Sequence, residues 1–348
     1  MDKTRTMPTV TSSPHVRSAE HIRSVMLDVL IALAPAILVG IFMFGPRAFV
    51  ITAITVGSCL LWEWLYCLVT HRPNPIGDLS AAVTGVLLAC NLPVSVPLWL
   101  PVVGSFFAIV IVKQLYGGLG KNIFNPALAA RVFLFLAWSS YMTTWTLPHT
   151  DLPWFANVAD TVTSATPMAT LKEGTTAGID FVAMLLGQAS GCIGETSKLA
   201  QLAGFAYLLA RRVINPRIPV SYLATVAIIS LLFPQGGDAV QWMLAQLLCG
   251  GLIMAAVFMA TDFTTSPATA GGQWVYGIGC GIITMAIRYF GSYNEGVSFA
   301  ILLMNAMVWM IDRVCRPRRY GVKPFAKLRE KTRDLLSKKS EKKGAEQK

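Results

Sequence analysis

The sequence predicts an all-α polytopic membrane protein with about ten transmembrane helices arranged as two inverted five-helix repeats. Three observations lead there. Of 348 residues, 54% are hydrophobic and only 14% are charged, whereas a soluble domain carries about a quarter charged residues. Apolar runs approaching the ~20 residues needed to cross roughly 30 Å of hydrocarbon recur along the chain. The short loops rich in lysine and arginine can all lie on one side of a membrane if the crossings are even in number.

The segment 1–24 is polar and carries Arg5, Arg17 and Arg23. It lacks an apolar core followed by a small-residue cleavage site, so no removable signal peptide is expected and the segment is assigned to the cytoplasm. The first half, 25–145, holds apolar stretches at 25–44, 49–69, 79–92, 98–116 and 125–145. The third is interrupted by Asn91 and Pro93 and reads as a span with a broken end. His71–Arg72 and Lys121 mark the cytoplasmic loops. The segment 146–197 then lies outside, where Asp151, Asp160 and Glu173 outnumber Lys172. Within it, 181–193 is apolar but short and contains Gly187 and Gly191. A full crossing there would put Arg211 and Arg212 outside, so a re-entrant or interfacial segment is expected.

The second half, 198–314, gives stretches at 198–209, 219–233, 240–260, 274–289 and 297–311, followed by a basic cytoplasmic tail, 315–348. An odd number of spans per half makes the halves start on opposite sides, which is the inverted arrangement. Each half also carries a Pro-marked polar loop: Asn122-Ile-Phe-Asn125-Pro126 in the first, Thr264-Thr-Ser-Pro267 in the second.

Composition narrows the chemistry. The net charge of +11 sits largely in the tail and loops, which fits topology control and anionic lipid; no aromatic interleaving accompanies it, so nucleic acid is not the expected partner. The seven cysteines form no C-x-x-C pair and have no histidine at ligand spacing, which argues against a zinc site or a cluster held by this chain alone. Lys121 lacks the spacing of a phosphate loop. Gly277, Gly279 and Gly281 lie inside an apolar run and read as close helix packing rather than a dinucleotide fingerprint.

Acidic residues at membrane depth are costly and tend to be functional. Glu63, between Trp62 and Trp64 in the second stretch, stands out. Asp262 and Asp312 lie at span ends, where helix-end solvation explains them equally well. Asp28 reads as interfacial. In the outside segment, Asp160-Thr-Val-Thr163-Ser164-Ala165-Thr166-Pro167 reads as a helix start, with Thr166 capping and Pro167 in the first turn. The same threonine offers an oxygen that a phosphate could esterify.

Asp160-x-x-Thr163-Ser164-Ala165-Thr166 resembles the motif of proteins that carry FMN through a phosphoester to its final threonine; Ser164 stands where that motif usually has glycine. Tyr116-Gly-Gly-Leu-Gly-Lys121-Asn122-Ile-Phe-Asn125-Pro126, Met259-Ala-Thr-Asp262-Phe-Thr-Thr-Ser-Pro267 and Arg288-Tyr-Phe-Gly-Ser-Tyr-Asn-Glu295 resemble further segments of the D subunits of Rnf complexes, relatives of the B subunit of the sodium-translocating NADH:quinone reductase. The likeness runs from Val25 to Asp312. It implies FMN on Thr166 at the periplasmic face of a bacterial inner membrane, placed there by a flavin transferase. It also implies a second, non-covalent riboflavin beside Asn122 and Asn125, although these asparagines serve equally as helix caps. Glu63, Asp262 and Asp312 match acidic positions linked to Na⁺ or H⁺ movement, and Arg131 and Arg288 are candidates to pair with them or to contact a flavin. NADH or ferredoxin would be handled by partner subunits of the complex, among them a second FMN-bearing chain and iron–sulfur chains. The rival readings are a cofactor-free channel or secondary transporter, and a structural scaffold.

Overall fold

The computed structural model describes residues 21–150, 154–155, 166–176, 179–291, 293 and 295–316. Helices form at each of the ten apolar stretches. In the first half these are α1 (Ile22–Phe44), α2 (Pro46–Val69), α3 (Ser80–Cys90), α4 (Trp99–Gln114) and α5 (Pro126–Ala137), with a short α6 (Ser139–Met142) after it. The connecting segment contributes α7 (Pro167–Lys172) and α8 (Phe181–Leu186). The second half contains α9 (Lys198–Ala210), α10 (Arg217–Leu232), α11 (Ala239–Leu248), α12 (Leu252–Met259), α13 (Ala270–Phe290) and α14 (Val297–Val314).

Length sorts these helices. Among the described residues, α1, α2, α13 and α14 are long and apolar enough to cross a membrane, and α11 with α12 makes a fifth crossing if the pair, bent by 62°, is one span. Five more, α3, α4, α5, α9 and α10, are apolar helices of 10–17 residues. Large apolar side chains face outward, such as Phe42 on α1 and Phe290 on α13, 75% and 90% exposed. Water would penalise such a surface and lipid does not. The chain is a multi-pass membrane protein.

Several boundaries differ from the sequence expectation. The stretch 125–145 is not one helix: α5 stops at Ala137, and Trp138 turns out of helical geometry (φ −135°, ψ 58°) to pack edge-on against Trp99 and Phe133. The stretch 240–260 breaks at Cys249–Gly251, where Gly250 adopts φ +70°, a left-handed conformation that glycine enters without steric cost. Of 181–193, only the six residues of α8 are helical, about 9 Å of rise. α4 widens into π-helical geometry over Phe107–Gln114, and α12 does so over Ala255–Met259.

Packing follows the small residues. α1 lies against α9, where a Cβ on Gly204 would collide with the Ala32 carbonyl. α10 packs on α13, where Gly277 and Gly281 approach Ser221 and Thr225, the close-packing role read for them from sequence. α2 contacts α3 and α4, α13 contacts α14, and α5 meets both α4 and α14.

Candidate functional site

Three irregular segments meet inside the helical body: the chain after α3, the chain between α8 and α9, and the α11–α12 break. Non-helical backbone at membrane depth must find its hydrogen bonds within protein, and here the segments satisfy one another. Ile193 N–H donates to the Leu92 carbonyl (3.1 Å), and Gly194 N–H donates to that of Cys90 (2.9 Å). Gly194 has to be glycine, because a Cβ would overlap the side chain of Cys90. Lys198, at the start of α9, donates at 2.7 Å to the carbonyls of both Glu195 and Gly250, tying the second segment to the third.

A cavity of about 600 Å³ opens where these segments converge. Its polar wall includes Asn91, Arg131, Glu195, Lys198 and Glu295. Arg131, on α5, bonds Asn91 Oδ1 at 2.8 Å, Glu295 at 2.7 Å and Glu195 at 3.4 Å. Glu295 also accepts from the Gly251 amide (3.3 Å). Both carboxylates lie against the bare α11–α12 break, where a Cβ on Gly250 would strike Glu295 and one on Gly251 would strike Glu195. An aromatic wall faces this cluster: Tyr293 stacks on Phe299 (5.2 Å between centroids) and meets Phe135 edge-on (5.4 Å).

Thr166 lines the same cavity. It occupies the cap position of α7 with extended backbone (φ −74°, ψ 152°) and Pro167 follows in the first turn, as the sequence indicates, but its side chain makes no capping hydrogen bond. Asp160, Thr163, Ser164 and Ala165, the rest of the motif, lie outside the described residues.

The asparagine pair takes a different place. Asn125 Oδ1 caps α5 by accepting from the amides of Ala127 and Leu128, and its Nδ2 donates to the Met259 carbonyl (3.2 Å). Asn122 Nδ2 donates to Thr264 Oγ1 (3.0 Å), while its buried Oδ1 has no partner. The cavity beside them is about 70 Å³, whereas sites for ligands of cofactor size enclose roughly 300–1,000 Å³.

Glu63 is fully buried on α2. Lys113 Nζ (2.7 Å) and Gln114 Nε2 (2.8 Å), adjacent on the π-helical part of α4, both donate to its Oε1, and Oε2 has no partner. Lys113 also bonds Ser80 Oγ (2.6 Å). Asp262 accepts from the hydroxyls of Thr264 and Thr265 at 3.0 and 3.2 Å. Asp312 accepts from Thr269 Oγ1 (3.2 Å) and from the Ala268 and Thr269 amides, bracing the start of α13. Asp28 joins Tyr207 (2.9 Å) and Arg211 (3.2 Å) across the α1–α9 contact. Arg288 donates to the Gln246 and Cys249 carbonyls at the end of α11, where a helix dipole favours a cation.

Sequence reasoning overlooked Lys113, Glu195 and Lys198. For Lys113 a signal existed, a lone cation within the apolar run 98–116, which the rule that flagged Glu63 covers equally. Glu195 and Lys198 flank a turn, and nothing local distinguishes them from solvated charges.

Known proteins are similar to this chain over most of its length. Residues 9–321 match the model of the NQR2, RnfD, RnfE family. The chain is 46% identical over 322 residues to the D subunit of the Na⁺-translocating ferredoxin:NAD⁺ oxidoreductase complex of Acetobacterium woodii, covering 92% of this chain and 97% of that protein. It is 39% identical over 329 residues to the D subunit of the proton-translocating ferredoxin:NAD⁺ oxidoreductase complex of Clostridium ljungdahlii, covering 90% and 96%. It is 40% identical over 331 residues to the D subunit of the ion-translocating oxidoreductase complex of Stutzerimonas stutzeri, covering 85% and 91%. The chain therefore belongs to the NQR2, RnfD, RnfE family.

Proposed function

We propose that this chain is the D-type membrane subunit of a redox-driven, ion-translocating oxidoreductase complex in a bacterial inner membrane, and that it carries FMN as a phosphoester on Thr166. The single observation that carries the flavin reading is a threonine whose hydroxyl makes no capping bond, lining a 600 Å³ cavity whose walls hold charged groups of both signs and aromatic rings. That volume falls in the range of cofactor sites. Bound there, FMN would supply acceptance and donation of one or two electrons. Thr166 Oγ would hold the phosphate, and the Phe135–Tyr293–Phe299 wall would flank the ring. Arg131, held between Glu195 and Glu295, and Lys198 would form the polar side of the ring's surroundings.

The inverted-repeat reading belongs with this proposal. α1 and α9, the first helix of each half, pack on each other, and α5 meets α14, the last of each. The cavity lies between the two halves, where such repeats place their sites. On the charge-based topology the Thr166 segment faces the periplasm. Electrons would come from partner subunits bearing flavin and iron–sulfur centres, and their passage would be coupled to movement of Na⁺ or H⁺.

The test is a denaturing gel of the purified chain, co-produced with a flavin transferase and inspected for flavin fluorescence. The expected result is a fluorescent band that disappears in Thr166→Ala, with the flavin mass on the peptide containing Thr166. A non-fluorescent wild-type band under these conditions would overturn the flavin reading and favour a cofactor-free transporter or scaffold.

A further inference from the structure

Glu195 is the more weakly held of the two carboxylates at the large cavity. It lies in the connection between α8 and α9, lines the cavity together with Thr166, and is 5% exposed. Its contacts are long: Oε1 meets Arg131 at 3.4 Å, and Oε2 accepts from the Cys192 amide at 3.5 Å. Glu295 takes the shorter bond to the same guanidinium (2.7 Å) and also accepts from the Gly251 amide. Lys198 gives its ammonium to the carbonyls of Glu195 and Gly250 rather than to a carboxylate. The other groups that act on Glu195 are Arg288 of α13, Cys90 at the end of α3 and Cys192 on its own segment. Burial, and after it the neighbouring Glu295, push the Glu195 carboxyl above its usual range, against the opposing pull of Arg131 and Lys198.

Charge balance gives this position a use. With both carboxylates ionised, Glu195, Glu295, Arg131 and Lys198 sum to zero. Electrons added to a space walled by such a set bring negative charge that little water screens. The carboxylate with the weakest hold on its own charge then gains most from protonation. We propose that Glu195 is the redox-linked proton acceptor of the Thr166 cavity, forming an O–H bond when the cofactor there is reduced and breaking it on reoxidation. For two electrons supplied by a reduced centre of a partner subunit, two protons leave water. One goes with the electrons to the ring and one bonds Glu195 Oε2, so the added charge is matched. Reoxidation passes the electrons on and returns both protons to water. Glu195 thus compensates charge at the cofactor and does not carry the translocated ion. The inference rests on the flavin reading of this cavity and deepens it.

The experiment uses the full chain co-produced with a flavin transferase and has two readouts, neither of them turnover. The first is the midpoint potential of the bound flavin, followed spectroelectrochemically over a series of pH values. Each proton taken up with two electrons changes the equilibrium constant tenfold per pH unit, about 30 mV for a two-electron couple. The wild type is expected to show twice the slope of Glu195→Gln, which lacks the second proton. The second readout is the reduced-minus-oxidised infrared spectrum. It is expected to gain the C=O stretch of a protonated carboxyl, lost in Glu195→Gln and kept in Glu295→Gln. Should Glu195→Gln fail to fold, Glu195→Asp takes its place and must shift that band. A wild type without the band overturns the proposal, as does a band or a slope unaltered by substitution of Glu195. A chain without covalent flavin gives no titration and overturns the flavin reading together with this one. A flavin whose reduction protonates no carboxyl overturns this inference alone.

Discussion

Arg131 and Lys113 are both cations held among apolar helices, yet their surroundings differ. Arg131 faces two carboxylates and an asparagine beside a cavity of about 600 Å³, and backbone amides at the α11–α12 break and the 187–197 segment also reach those carboxylates. Lys113 has one carboxylate, half of it unpartnered, and borders a cavity of about 70 Å³. The first arrangement shares each charge among several fixed partners, so moving one group disturbs the rest. The second leaves one oxygen, Glu63 Oε2, without a partner beside the lysine.

The strongest way to break this contrast is Arg131→Met. It removes the cation that pairs directly with both Glu195 and Glu295, leaving Lys198 as the nearby positive charge on that wall, and loss of one member of a buried ion network costs about 3–5 kcal/mol. We expect the largest fall in the thermal unfolding midpoint of the detergent-solubilised complex, together with poor assembly. A midpoint within a degree or two of wild type would show that the network does not organise the cavity.

Glu63→Gln alone strands the Lys113 ammonium and should also destabilise, by an amount toward the lower end of that range, because Ser80 Oγ remains as a partner. Combining it with Lys113→Met should restore most of the loss, since replacing a buried ion pair by neutral groups is often close to neutral. A thermal double-mutant cycle over these variants measures the coupling directly. Strict additivity would mean that the two residues do not act as a pair.

A smaller effect is expected at Asn125, whose side chain caps α5 and bonds Met259. Asn125→Ala should cost about 1 kcal/mol, typical of a lost cap, with the Arg131 cavity and flavin attachment unchanged. Loss of flavin fluorescence in this variant would show that the two regions are more tightly linked than their separate contacts indicate.

Much of the molecule is legible in one dimension. The apolar stretches mark where helices form, because burying backbone away from water demands internal hydrogen bonds whatever the neighbours are. Glu63 is conspicuous for the same reason: a carboxylate in an apolar run is costly on composition alone. Asn125-Pro126 announces a helix start through local chemistry, and the structure has one there. The motif around Thr166 identifies a candidate residue, and the uncapped hydroxyl beside a cavity adds a feature no motif contains.

What compensates each costly group was decided only by tertiary structure. Lys113 lies 50 residues from Glu63 and meets it because α2 packs on α4 and the π-helical turns bring adjacent residues onto one carboxylate. Glu295 is 164 residues from Arg131, and Glu195 is 64. The break at Gly250 follows the same logic: two adjacent glycines permit it, and the carboxylates pressed against them, from distant segments, leave no room for a Cβ. The desolvation cost of a charge can be read from its immediate neighbours in sequence, whereas the partner that offsets it is chosen by packing between segments far apart in the chain.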